Sequence, residues 1–174
     1  MLMQNIYLSQ HFKLSEFEAS RKAEEHGIAN IAPPEAVENL RRLCKFTLEP
    51  LREEIGLPVI ITSGYRTKKL NDMLAHSTVR SQHMAGQAAD FYIGEISAQA
   101  SNEAGVNARQ RLIKAFRLIL TCERIDYDQL ILYPNFIHVS YVSKERNRHN
   151  ILLARSDGKL GYGKLSYTNA LKIQ

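Results

Sequence analysis

Apolar residues recur at three- and four-residue steps through Val37, Leu40, Cys44, Leu48, Leu51 and Ile55, the stripe of a helix packed on a core. Pro33 and Pro34 precede this run as a helix start. Pro50 removes one backbone donor and predicts a kink, and Gly56 suits the end. Upstream, Ser15 and Glu18 have capping-box spacing among Phe12, Leu14 and Phe17, which predicts a short helix beginning there. Farther on, Leu112, Ile113, Phe116, Ile119 and Leu120 give one apolar face to a helix running from Val106 to about Glu123.

Between these helices the period shortens to that of strands. PVIIT, bounded by Pro58 and Gly64, and AADFYI at 88–93 are short and apolar. QLILY and FIHVSYV, separated by Pro134 and Asn135, have the pattern of two strands joined by a tight turn. In the second, His138 and Ser140 share one face, while Ile137, Val139 and Tyr141 share the other. GEISAQASNEAG reads as an exposed loop, and SDGK and GYGK near the end as turns within a basic tail. Helices mixed with partly antiparallel strands imply an α+β fold.

The length of 174 residues suits one domain, 1–174, with a core of its own. A hydrophobic fraction of 44% beside 24% charged residues is that of an ordinary globular protein rather than a disordered or fibrous one. The net charge of +5 favours an anionic partner. Lys and Arg are scattered rather than gathered with aromatics, however, so no nucleic-acid partner is expected. Arg146, Arg148, Arg155, Lys159 and Lys164 read as a solvated face. Cys44 and Cys122 lack thiolate-site spacing and read as buried free thiols. The N-terminus lacks the pattern of a secretory signal, and no apolar run approaches the ~20 residues that span a bilayer. Synthesis in the cytoplasm, no membrane insertion and a monomeric state are the expectations.

The chemistry concentrates in SQHMAGQAAD, where His83 precedes Asp90 by seven residues with Gly86 between them. Seven does not place two side chains on one helical face. It suits a loop ligand, a glycine-permitted change of direction and a carboxylate entering from the next strand. Asp90 in an apolar strand is costly to bury unless paired or metal-bound. His138 supplies a third donor from a distant strand. Two imidazoles and one carboxylate leave a fourth position open, as catalytic zinc requires. Each histidine taken alone is more often an ordinary surface or satisfied one.

SGYRT, the pattern S-x-H-x-x-G-x-A-x-D at Ser81–Asp90, DQLI and IHVSY occur in this order, and together the chain resembles the zinc D-Ala-D-Ala carboxypeptidase family. That family includes phage endolysin peptidases and shares its fold with hedgehog signalling domains. The resemblance runs from about residue 10 to about residue 142 and leaves 143–174 as a C-terminal extension. It implies a mainly antiparallel sheet flanked by helices and one zinc per chain, held by His83, Asp90 and His138. It also implies that Arg66 faces the substrate, steadying an oxyanion or holding a terminal carboxylate, and that Ser81 hydrogen-bonds the substrate. Without the family, Arg66 reads as a surface ion pair and Ser81 as a turn residue. The implied reaction is metal-assisted hydrolysis of an amide bond in peptidoglycan stem peptides, by a carboxypeptidase or an endopeptidase. A chain of this kind without a signal would act on the wall once released, as a phage or prophage lysin is.

The general base is the irregular point. Family members often carry an acidic residue three positions before the last histidine ligand, and here that position is Asn135, whose amide cannot take a proton. Asp128 in DQLI stands as the substitute base, with Glu123, or Glu95 and Glu103 in the loop, as further sources. Capping, or pairing with Arg124, is the ordinary role for Asp128. Without any base, the chain is a zinc-containing module that binds wall peptides or a protein partner.

Overall fold

The computed structural model describes residues 6–74, 77–94, 108–154 and 162–173. The first helix, α1 (Leu14–Glu18), starts one residue before the predicted cap. Lys13 is the capping residue, its N–H donating to Glu16 Oε1 at 2.7 Å, while Glu18 accepts from the Ala32 N–H at 2.7 Å. A short α2 (Arg21–Glu25) follows.

The long stripe forms α3 (Pro34–Leu43), a wider π-helical stretch (Cys44–Leu48) and α4 (Glu49–Ile55), which ends at Gly56. Pro50 explains the wide turns: it has no N–H for the Phe46 carbonyl four residues back. That carbonyl instead accepts from the Asp126 N–H at 3.0 Å. The interruption thereby ties the helix to the segment leading into the central strands. Leu40, Cys44, Leu48, Leu51 and Ile55 are buried as expected, and Val37 is half-buried.

Among the described residues, six strands form one sheet: β1 (Val59–Ser63), β2 (Ala88–Ile93), β3 (Gln129–Leu132), β4 (Ile137–Ser140), β5 (Asn150–Ala154) and β6 (Tyr162–Lys164), in the order β1-β2-β4-β3-β5-β6. β3 and β5 run parallel and the other neighbouring pairs antiparallel. The last two strands correct the expectation of a tail of turns, since residues of GYGK form β6. The SDGK segment, and the 94–105 loop beyond Gly94, lie outside the described residues. The remaining helices are α5 (Lys68–Asp72), α6 (Ala108–Thr121) and α7 (Tyr167–Ala170).

The strand alternation divides the sheet into two faces. Val59, Phe91, Leu130, Val139 and Ile151 join Leu40, Leu48, Phe116 and Ile119 in the core between sheet and helices. Asp90, His138 and Ser140 occupy alternate positions in the same strands and so project from the opposite face. Cys44 lies in the core, where burial pushes its thiol well up. Cys122 is free but only half-buried, a correction to the expected pair of buried thiols. Among the described residues, no helix is long and apolar enough to cross a membrane.

Candidate metal centre

Asp90 and His138 are register partners across the β2–β4 ladder, which places two donors side by side. The third donor arrives on a 3₁₀ turn (Gln82–Ala85) that closes at Gly86, where φ is +67°. A Cβ there would lie 2.4 Å from the Ala36 carbonyl oxygen, so the turn sits directly on α3. Only glycine meets both demands. The change of direction expected at Gly86 is therefore present, and it brings His83 to the strand carrying Asp90.

Gly64 orients that histidine. Its carbonyl oxygen is 2.6 Å from His83 Nδ1, so Nδ1–H donates and Nε2 is left to serve as a ligand. A Cβ at Gly64 would come within 2.6 Å of Phe17, which shows how closely α1 presses on this strand end. His83 Nε2 lies 3.4 Å and His138 Nδ1 2.7 Å from the same oxygen, Asp90 Oδ1. One donor atom from each of the three residues lies within 4.8 Å of the others. Arg66 holds the other carboxylate oxygen: its Nη2 donates to Asp90 Oδ2 at 3.0 Å and its Nε to Ser63 Oγ at 3.1 Å. The Arg66 N–H also donates to the His83 carbonyl at 3.2 Å.

The electrostatics favour the ligand forms. Burial by itself would raise the Asp90 carboxyl, but the charge of His83 and the hydrogen bonds of His138 and His83 outweigh it and hold the group well below the carboxylate range. Burial pushes His83 down, more strongly than Asp90 pulls it up. A carboxyl held low and an imidazole whose affinity for a proton burial lowers both give up their protons readily, as ligands of a metal must. Two nitrogens and one oxygen from three separate backbone segments converge on one point, which fits a tetrahedral N/O ion with its fourth position open.

The other candidate site residues fall in different places. Ser81 is half-buried and precedes the 3₁₀ turn; its carbonyl accepts from the Met84 N–H at 3.1 Å. Asn135 is exposed in the turn between β3 and β4. Glu123 is exposed just beyond α6, and Glu95 and Glu103 lie outside the described residues. Asp128 is 1% exposed and paired with Arg148 rather than Arg124, which binds Glu53 and Glu54 instead. Sequence reasoning missed the Gly64 carbonyl and the Arg148 pairing. SGYRT did flag the first region, but nothing in it distinguishes a carbonyl that orients an imidazole from an ordinary turn.

An α+β fold with two histidines and a carboxylate converging on the sheet face opposite the core defines a candidate metal centre. The model of the Peptidase M15 family matches residues 10–140, and the chain belongs to that family of zinc D-Ala-D-Ala carboxypeptidases, whose fold is hedgehog-like. A search of curated proteins gives no match.

Proposed function

We propose that the protein is a zinc metallopeptidase that hydrolyses an amide bond in peptidoglycan stem peptides, as a D-Ala-D-Ala carboxypeptidase or an endolysin-like endopeptidase. The carrying observation is the convergence of His83 Nε2, Asp90 Oδ1 and His138 Nδ1 in a chain of the Peptidase M15 family. His83, Asp90 and His138 would hold a zinc ion, which when bound would supply an acidified water near neutral pH and polarise a carbonyl. The chain's own residues prepare that chemistry. Gly64 fixes the tautomer of His83, and Arg66 engages Asp90 Oδ2 so that Oδ1 points at both imidazoles. We assign Arg66 the further role of stabilising negative charge on the scissile carbonyl, a role that its engagement of the candidate ligand Asp90 supports. Ser81, two residues before His83, is assigned to hydrogen-bonding the substrate by its place in the family pattern. The expected working form is a monomer, carrying out its reaction on the wall after release.

Asn135 favours a second reading, a zinc-containing module that binds wall peptides without turnover. Its amide stands where a base is expected, and both oxygens of Asp128, the substitute weighed for that role, accept hydrogen bonds from Arg148 or Gln82. Metal content of the purified protein, measured with peptide release from peptidoglycan with and without chelator, separates the readings. Zinc near one per chain with chelator-sensitive release supports the peptidase. Zinc with retained wall-peptide binding and no release supports the module, and absence of zinc overturns both.

A further inference from the structure

Asp128 marks the point where the chain enters β3, and its surroundings reach both segments that carry the metal ligands. Its Oδ1 accepts from the Arg148 backbone N–H at 2.9 Å and from Arg148 Nε at 2.9 Å. Its Oδ2 accepts from Arg148 Nη2 at 2.5 Å, from Gln82 Nε2 at 2.8 Å and from Ser140 Oγ at 3.3 Å. Arg148 Nη2 also lies 3.4 Å from Gln82 Oε1. Gln82 immediately precedes His83 on the 3₁₀ turn, and Ser140 follows His138 by two residues on β4. One carboxylate therefore links the turn that presents the first histidine to the strand that presents the second. The residue that neutralises this carboxylate, Arg148, lies beyond the family-matched residues 10–140.

We infer that Arg148, Asp128 and Gln82 form a brace that sets the positions of His83 and His138, so that Arg148 is a positioning residue of the metal centre supplied by the C-terminal segment. The inference rests on the zinc reading above. A four-residue 3₁₀ turn has few hydrogen bonds of its own, so a hold on Gln82 adds to those of Gly64 and Arg66 in setting where His83 stands. A buried carboxylate keeps its place only when its oxygens are met by donors. The forked contact of Arg148 with both oxygens is the geometry for which lysine is a poor substitute. Removing the guanidinium leaves Asp128 to draw Gln82 and Ser140 inward or to take up water, and either movement shifts a ligand-bearing segment.

The test is zinc affinity of the full chain, measured by competition with a chromophoric chelator at a temperature where each variant is folded by circular dichroism. Arg148→Ala is expected to weaken zinc by up to about 10-fold, the low end of what a partner bonded directly to a ligand costs, because Arg148 acts through Asp128 and Gln82. Arg148→Lys should recover only part of that loss. Gln82→Ala should weaken zinc too, and adding it to Arg148→Ala should cost little more, since both act through one brace. The visible spectrum of the cobalt-substituted protein should change in the same variants. A purely structural pair would lower the melting temperature yet leave zinc affinity and the cobalt spectrum unchanged; that result in folded Arg148→Ala overturns the brace. Should Arg148→Ala fail to fold, an unchanged zinc affinity in Gln82→Ala overturns it equally. These outcomes leave zinc binding by the unaltered protein intact, whereas its absence there sinks the zinc reading itself.

Discussion

The metal row and the corner at the start of β3 each hold a buried aspartate facing an arginine, yet the two sites are chemically opposite. At the corner, Asp128 is surrounded by donors: the Arg148 guanidinium and backbone N–H, the Gln82 amide nitrogen and the Ser140 hydroxyl. Both oxygens are satisfied and the site is closed. In the metal row, Arg66 occupies Oδ2 of Asp90, while Oδ1 faces two imidazole nitrogens that carry lone pairs when neutral. Three electron-rich atoms directed at one point would be completed by a cation. Burial and an arginine partner are common to both aspartates; the polarity of the remaining neighbours separates a structural ion pair from a ligand set.

The strongest way to break the contrast is to remove a ligand. His83→Ala or Asp90→Ala should abolish stoichiometric zinc and with it any chelator-sensitive release of wall peptides, as read by elemental analysis of the purified variants. Full zinc content in both would end the assignment. Arg66→Ala sharpens the comparison from the other side. It should keep zinc near one per chain at saturating metal, while peptide release falls on the order of 10²- to 10³-fold, the cost of losing one donor at a developing oxyanion.

Asp128→Ala tests the closed site. Loss of one partner of a buried pair costs about 3 kcal/mol, at the low end of the usual range because Arg148, 53% exposed, regains water. The expected readout is a lower urea midpoint with an unchanged m-value. The smallest effect is the acid response of the same pair. Hydrogen bonds from Arg148 and Gln82 overcome the upward push of burial and hold the Asp128 carboxyl at about 2, below its ordinary 3.8. A depressed carboxyl stabilises the fold in full above about pH 4, and that contribution is lost as pH falls towards 2. It amounts to on the order of 1–2 kcal/mol, allowing for the solvent around Arg148. Urea titrations at pH 5 and pH 2.5 should show this increment in the unaltered protein and not in Asp128→Asn.

Much of the fold was readable because its signals are local. The 3.6-residue stripe around Leu40 and Leu48, the alternation in IHVS and the demand for glycine at position 86 each depend on a few neighbouring residues. The metal row was readable for a related reason: its three donors lie in segments whose strand or turn character was itself clear, and the family motif joined them. What escaped depends on pairing over distance. NILLA has no alternation, and its identity as a strand comes from lying parallel to β3, more than a dozen residues away. That same pairing sets Asn150 N–H on the Asp128 carbonyl and brings Arg148 to the carboxylate, while Arg124, nearer in sequence, faces the other way towards Glu53 and Glu54. The Ser15–Glu18 spacing was a true signal for a helix start but a false one for its position, because Glu18 is claimed by Ala32, fourteen residues on.

The direct opposition of Asp90 and His138 also makes the site a parity check on assembly. Side chains alternate faces along a strand, so a slip of β4 by one residue would turn His138 into the core and offer Val139 or Ile137 to the ion. A slip of two would restore the face but leave the imidazole opposite Ala88 or Tyr92. Among these registers only the native one sets His138 opposite Asp90, so the candidate ligand pair exists only once β2 and β4 have reached that alignment.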